Sequence, residues 1–126
     1  MFTTEDMVFT YSRAQALEDG VLVDVTQTAK EAGFKVPVAV SAKVWHDVVE
    51  PDQTALDRGE SEGGRLWDVL WMARLAAKAA APGDDLINFQ ALATIGERRE
   101  LIKLWLHIGS GDTPEPVLTI MFLEDY

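Results

Sequence analysis

His46-Asp47 and His107 are the side chains best suited to proton transfer at neutral pH, because an imidazole titrates close to it. A nucleophilic triad needs a base, an orienting acid and a nucleophile in reach of one another. Neither histidine has a recognisable third partner. One reads as a surface residue and the other as a partly covered sheet residue. A metal centre needs three or four ligands at local spacing. The chain has no His-x-x-x-His pair and no cysteine, and Asp84-Asp85 and Asp112/Glu115 are not spaced as a calcium loop. No metal and no cofactor is expected. Gly109-Ser110-Gly111-Asp112 is neither a Gly-x-Ser-x-Gly elbow nor a phosphate-binding loop with Gly-Lys-Ser/Thr opening a helix. It reads as a hairpin loop.

Two sets could bind rather than react. Arg98-Arg99 is an adjacent basic pair whose guanidinium forks fit phosphate oxygens, although Glu97 and Glu100 flank it. Trp67 and Trp71, beside Arg65, Arg74 and Lys78, could stack a nucleotide base, an interaction of about 1–3 kcal/mol per base. Arg65, Trp67, Arg98 and Arg99 therefore form the candidate set for sequestering a nucleotide signal. The commoner fate of Trp at helical spacing is core packing.

The stronger signal is charge. Twenty-one carboxylates face eleven Lys and Arg, a net charge of -10 on 126 residues. Such a surface disfavours nucleic acid and anionic lipid as partners and favours a basic protein surface. Asp47, Glu50, Asp52, Asp57, Glu60 and Glu62 crowd one segment in which Arg58 is the single Lys or Arg. They are the candidate contact residues. Binding, not catalysis, is the function class that remains.

The elements that must position these residues form an α+β domain. At 48% hydrophobic residues the chain is too apolar for an acidic disordered tail, and its length suits one domain. Ser12, with Gln15 three residues on, predicts a capped short helix that Tyr11 would staple and Gly20 would end. Val21-Leu22-Val23 reads as a short strand. Thr26 is placed to cap a second helix ending at Gly33, and Ser41 a third over Ala42 to Glu50. Phe34 to Val40 is extended through Pro37. The polar, acidic stretch from Pro51 to Gly64 reads as a mobile loop. The spacing of Leu66, Val69, Leu70, Ala73 and Ala77 predicts a long, largely covered helix over Arg65 to Ala80, with Arg65 and Asp68 pairing on its far side. Leu86 to Ile95, Glu100 to Ile108 and Val117 to Leu123 alternate as strands. The expected architecture is an antiparallel sheet of three or four strands, packed by the long helix and short N-terminal helices. Trp105 and Lys103 on its second face leave room for a homodimer. Glu5 and Asp6 stand where a secretory leader would carry Lys or Arg, and no apolar run approaches a membrane span, so a cytoplasmic protein is expected.

Three long motifs carry a resemblance. They are the run from Tyr11 to Thr26 (YSRAQALEDGVLVDVT), Gly64 to Met72 (GRLWDVLWM) and Glu115 to Met121 (EPVLTIM). Together with Lys30-Glu31-Ala32-Gly33-Phe34 they resemble a family of small bacterial and phage proteins of unknown function found on plasmids, integrative elements and phages. The resemblance implies no activity and no catalytic residues. It implies a setting among accessory genes of mobile elements. The expectation that follows is a counter-defence protein, a DNA mimic of anti-CRISPR type that occupies the basic channel of a host CRISPR-Cas or similar complex.

Overall fold

In the computed structural model, which describes residues 12–125, short helices and short strands alternate along the first half of the chain. Helix α1 (Arg13–Glu18) starts where Ser12 Oγ accepts the Gln15 N–H at 3.0 Å. Strand β1 (Leu22–Asp24) leads into α2 (Thr26–Glu31). Thr26 does not cap α2 but lies in its first turn. Asp24 accepts the Thr26 N–H, and the Thr26 hydroxyl is shared with the backbone of Val38. Strand β2 (Val38–Ser41) is buried along its whole length and ends at Ser41, whose Oγ accepts the Val44 N–H and caps α3 (Ala42–Val44). That helix widens at once into a π-turn over Trp45–Val49, closed by the Glu50 N–H on the Trp45 carbonyl. The Tyr11 staple and the acidic start, Glu5 and Asp6, lie outside the described residues.

The stretch from Pro51 to Gly64 is not the loop its polarity suggests. It holds α4 (Gln53–Asp57), capped by Asp52, and the start of α5 (Glu62–Ala79), capped by Ser61. Polar caps and acidic first-turn residues are what helix starts require, and here they outweigh the glycines.

Three long strands follow: β3 (Leu86–Ile95), β4 (Arg98–Ser110) and β5 (Pro116–Met121), with a short 3-10 turn at Leu123–Asp125. Gly96 takes φ 62 at the first central position of the two-residue turn between β3 and β4, which fits the type II′ geometry of tight hairpins. The three strands form the expected antiparallel meander. The sheet itself is larger and mixed. It has five strands in the order β1-β2-β5-β4-β3, with β2 parallel to β5 and antiparallel to β1. The expected count of three or four antiparallel strands falls short because β1 has three residues and β2 has four, too few to show a period. Full burial also leaves β2 without the alternation of a half-exposed strand.

One face of the sheet carries the core. Val38, Val40, Leu104, Leu106 and Ile120 meet Ala29, Val44, Val48, Val49, Val69 and Leu70 from the helices. Helix α5 lies mainly on β3, at the sheet margin. Its covered side follows the expected stripe through Leu66, Val69, Leu70 and Ala73. Trp67, Trp71, Met72 and Leu75 are exposed on its other side, so the expectation of a largely covered helix with both Trp in the core is corrected. The helix rests mainly on one margin strand, and among the described residues no element packs over its second side. Among the described residues no helix is long and apolar enough to cross a membrane.

Leu70 is 0% exposed and Leu75 is 44% exposed on the same helix. Leu70→Ala is expected to lower unfolding free energy by about 2–5 kcal/mol. Leu75→Ala should cost under about 1 kcal/mol. Urea denaturation with an unchanged slope checks both.

Candidate functional site

The acidic segment is organised around Arg65, on the first turns of α5. The sequence places this residue on the outer face; the structure buries it at 6% exposure. Its Nε donates to Glu60 Oε1 at 3.2 Å. One terminal nitrogen donates to the carbonyls of Val48 at 3.2 Å and Glu50 at 3.4 Å, and the other donates to the Thr94 carbonyl. Val48 and Glu50 stand at the end of the π-turn, where helical carbonyls lose their own partners. Thr94 belongs to the margin strand β3. One guanidinium thus joins two separate stretches of backbone and a carboxylate, which its rigid fork of donors permits and an ammonium would not. Asp68, the expected partner, lies on the exposed side of α5.

Glu60 supplies the counter-charge. The Thr94 hydroxyl, and then the Arg65 guanidinium, hold its carboxyl below the ordinary glutamate value. Asp52 works beside it. Its Oδ1 accepts the Ala55 N–H at 2.8 Å and its Oδ2 accepts the Gly96 N–H at 3.2 Å. The bond from Ala55 is the main reason its carboxyl is held below the usual aspartate value. Arg58 donates to the Glu97 carbonyl at 3.3 Å. The segment from Glu50 to Glu60 is therefore stitched to the β3–β4 turn.

Of the six expected contact carboxylates, Asp52 and Glu60 are engaged inward by these bonds. Glu50 is half-buried and pairs with His46 Nδ1 at 2.9 Å. Asp47, Asp57 and Glu62 are exposed, with Asp57 accepting from the Gln53 amide at 2.8 Å. Glu62 also sits in the first turn of α5, where the helix dipole favours a negative charge. Asp47 borders a shallow groove with Val48, Ile95, Ile102 and Phe122.

The nucleotide set is not assembled. Arg65 and Trp67, two residues apart on a helix, point about 200° apart. The Arg65 donors are committed to protein carbonyls. Arg98 and Arg99 lie at the turn end of β4, and Arg99 contributes to the field on Glu60. Trp67 stacks instead on Trp71, with centroids 6.1 Å apart and planes 14° apart. Arg74 covers the other Trp at 5.3 Å and is pressed against Gly33, where a Cβ would come within 2.6 Å of its Nε. His46 lies in the helical layer and His107 on the opposite face of the sheet, so they do not converge. Among the described residues no three His, Asp or Glu side chains are grouped as metal ligands.

Two anchors escape sequence reasoning. Asp112, in the Gly-Ser-Gly-Asp loop, accepts the N–H groups of Arg13 at 2.8 Å and Ala14 at 2.9 Å, so it caps α1 from almost a hundred residues away. Arg13 reaches across the sheet to the Thr119 hydroxyl and the Leu118 carbonyl. Burial lowers its basicity, and Asp24 and Asp112 oppose that. Only the Asp in a Gly-rich turn hints at the first of these; nothing local signals the second.

A family model, described as a family of unknown function (DUF6573), matches residues 1–126, and the chain belongs to that family. No curated protein and no solved structure matches the chain at a significant level.

Arg65→Ala should destabilise the fold by about 3 kcal/mol, because it strands Glu60 and three carbonyls, and Arg65→Lys should recover part of that loss. Asp52 and Glu60 titrate lower in the folded chain than in the unfolded one. Their contribution is therefore present above the ordinary carboxylate range and lost as pH falls through that range and below. Thermal melts from neutral pH to about pH 3 should fall less steeply in Asp52→Asn and Glu60→Gln than in the wild type. Parallel profiles would show that these carboxylates do not carry the acid sensitivity.

Proposed function

We propose that this member of a family of unknown function is a non-enzymatic, acidic binding protein that docks on a basic protein surface. The observation that carries the reading is the net charge of -10, combined with the fixed position of the acidic segment. Asp47, Asp57 and Glu62, with Glu50 at the margin, are presented by helices and turns that Arg65 and Asp52 tie to the sheet. A pre-ordered charged surface loses little entropy when it binds, and its field accelerates encounter with an oppositely charged partner.

The partner class that fits is a Lys/Arg-lined nucleic-acid channel. The resemblance to bacterial and phage proteins of mobile elements makes a host defence complex of CRISPR-Cas type our first target, with the chain taking the place of nucleic acid. This reading places the protein in the cytoplasm. The dispersal of Arg65, Trp67, Arg98 and Arg99 favours it over nucleotide sequestration.

The test uses the full chain as bait in a bacterial host lysate at low salt, followed by kinetics with the captured protein. We expect a nucleic-acid-binding partner that competes with its own DNA or RNA. Its association rate should fall about tenfold or more between about 0.05 and 0.5 M salt. Asp47→Lys, Asp57→Lys and Glu62→Lys together should abolish capture while leaving the circular dichroism spectrum intact. Binding that ignores both salt and charge reversal would sink the reading.

A further inference from the structure

Strand β3 closes one margin of the sheet. Its ten residues, Leu86 to Ile95, include no charged side chain and no proline. Exposed margin strands are ordinarily protected by Lys, Glu, Pro, bulges or a covering loop, because their unpaired backbone groups invite another strand. In an antiparallel ladder the hydrogen-bonded residues alternate. The Ile108 N–H donates to the Asp85 carbonyl, which fixes the odd-numbered residues as the ones bonded to β4. Asn88, Gln90, Leu92 and Thr94 therefore turn their N–H and C=O groups outward. The Thr94 carbonyl meets Arg65. Among the described residues nothing pairs with the outward groups of the other three.

Helix α5 belongs to the same margin, since it lies on β3 and not on the middle of the sheet. Its Met72 is exposed on that side, and a groove lined by Ala76, Ala79, Ala80, Asp84, Leu86 and Asn88 runs between helix and strand. Apart from the buried Arg65, which Glu60 neutralises, the charges along the helix, Glu62 and Asp68 against Arg74 and Lys78, cancel. The margin is thus uncharged along the strand, with Asp84 and Asp85 just before it, and balanced along the exposed side of the helix.

We propose that this margin is the interface of a homodimer in which β3 pairs antiparallel with β3 of a second copy, giving one continuous ten-stranded sheet. The charge pattern selects this occupant. A basic partner would be recognised through carboxylates, and β3 has none. Two copies, each at -10, repel over most of their surface and meet without penalty here. An antiparallel pair of identical strands is self-complementary about a two-fold axis. With that axis normal to the sheet, both α5 helices lie on the same side, and Met72 and Ala79, on the β3 side of each helix, approach the junction.

The full-length protein should sediment at twice the chain mass at micromolar concentration. Exchange of the Asn88, Gln90 and Leu92 amides should slow about tenfold or more as concentration rises through the dimerisation range. Gln90→Lys with Leu92→Lys should weaken dimerisation about tenfold or more by restoring the charges that protect such strands. Met72→Glu, at an exposed position on the β3 side of α5, should do the same if the strand variant fails to fold. Leu101→Lys is the control, because Leu101 is 63% exposed on the outer face of β4 and lies one strand in from the margin. A wild type that stays monomeric, amides whose exchange ignores concentration, or a dimer broken by Leu101→Lys and not by the margin variants overturns the proposal.

Discussion

A guanidinium taken out of water must have its donors met, or its burial costs more than the fold can supply. That constraint shapes this molecule around Arg65. Its partners come from three stretches: the end of the π-turn, the turn before α5, and the margin strand β3. The wide turn at Trp45–Val49 ends with carbonyls that an ordinary helix continuation would have used, and the guanidinium takes the Val48 carbonyl. The helical layer is thereby fixed in position over the sheet as well as packed against it. Apolar contact alone, being non-directional, would not set that position.

The acid excess looks different once its bonds are traced. Asp24, Asp52, Asp84 and Asp112 each accept backbone N–H groups, at the starts of helices or in turns. Glu60 neutralises Arg65 and Glu50 pairs with His46. Much of the negative charge therefore serves the folding of short elements, which cannot hold themselves together by length. A chain with five α-helices and five strands in 114 described residues has many ends to satisfy, and Asp is an economical acceptor for them. The carboxylates left for a partner are fewer than the composition implies. They are also better placed, since the inward-facing members of the same segment hold it still.

The legible parts of the fold were those with a period. The alternation of β3 and β4 and the helical stripe of α5 are repeated often enough to identify both strand and helix, and Ser12 and Ser41 cap as their positions indicate. What escaped has a common cause. The extended segments at β1 and β2 were read as such, but they are too short for alternation to show that they join the sheet, and α4 is a single capped turn inside a polar stretch. Arg65 and Arg13 are cations whose partners are backbone carbonyls, and a carbonyl has no residue type to signal it. The tryptophans failed differently. Their spacing correctly indicates a helix, but it cannot say whether another element covers that side. The candidate site was half legible: the acidic segment is visible in composition, whereas its division into inward and outward carboxylates depends on a buried cation that reads as exposed.

Charge and its absence are two parts of one arrangement. A small chain at -10 lowers its own stability by self-repulsion and keeps other copies at a distance. The repulsion is uneven, because every residue of β3 is neutral and the facing side of α5 balances. A neutral ten-residue strand at a sheet margin is a hazard in a protein of ordinary charge, since it offers a template to any extended chain. Here the surrounding acid works against such encounters for acidic or neutral strangers without removing the strand. The Arg65 bond to Thr94 adds a local restraint, because it occupies one outward carbonyl and limits how far a pairing strand can run toward the turn. The same buried guanidinium that holds the acidic segment in place therefore also sets one boundary of the uncharged margin, and the two surfaces of the molecule are defined by a single residue.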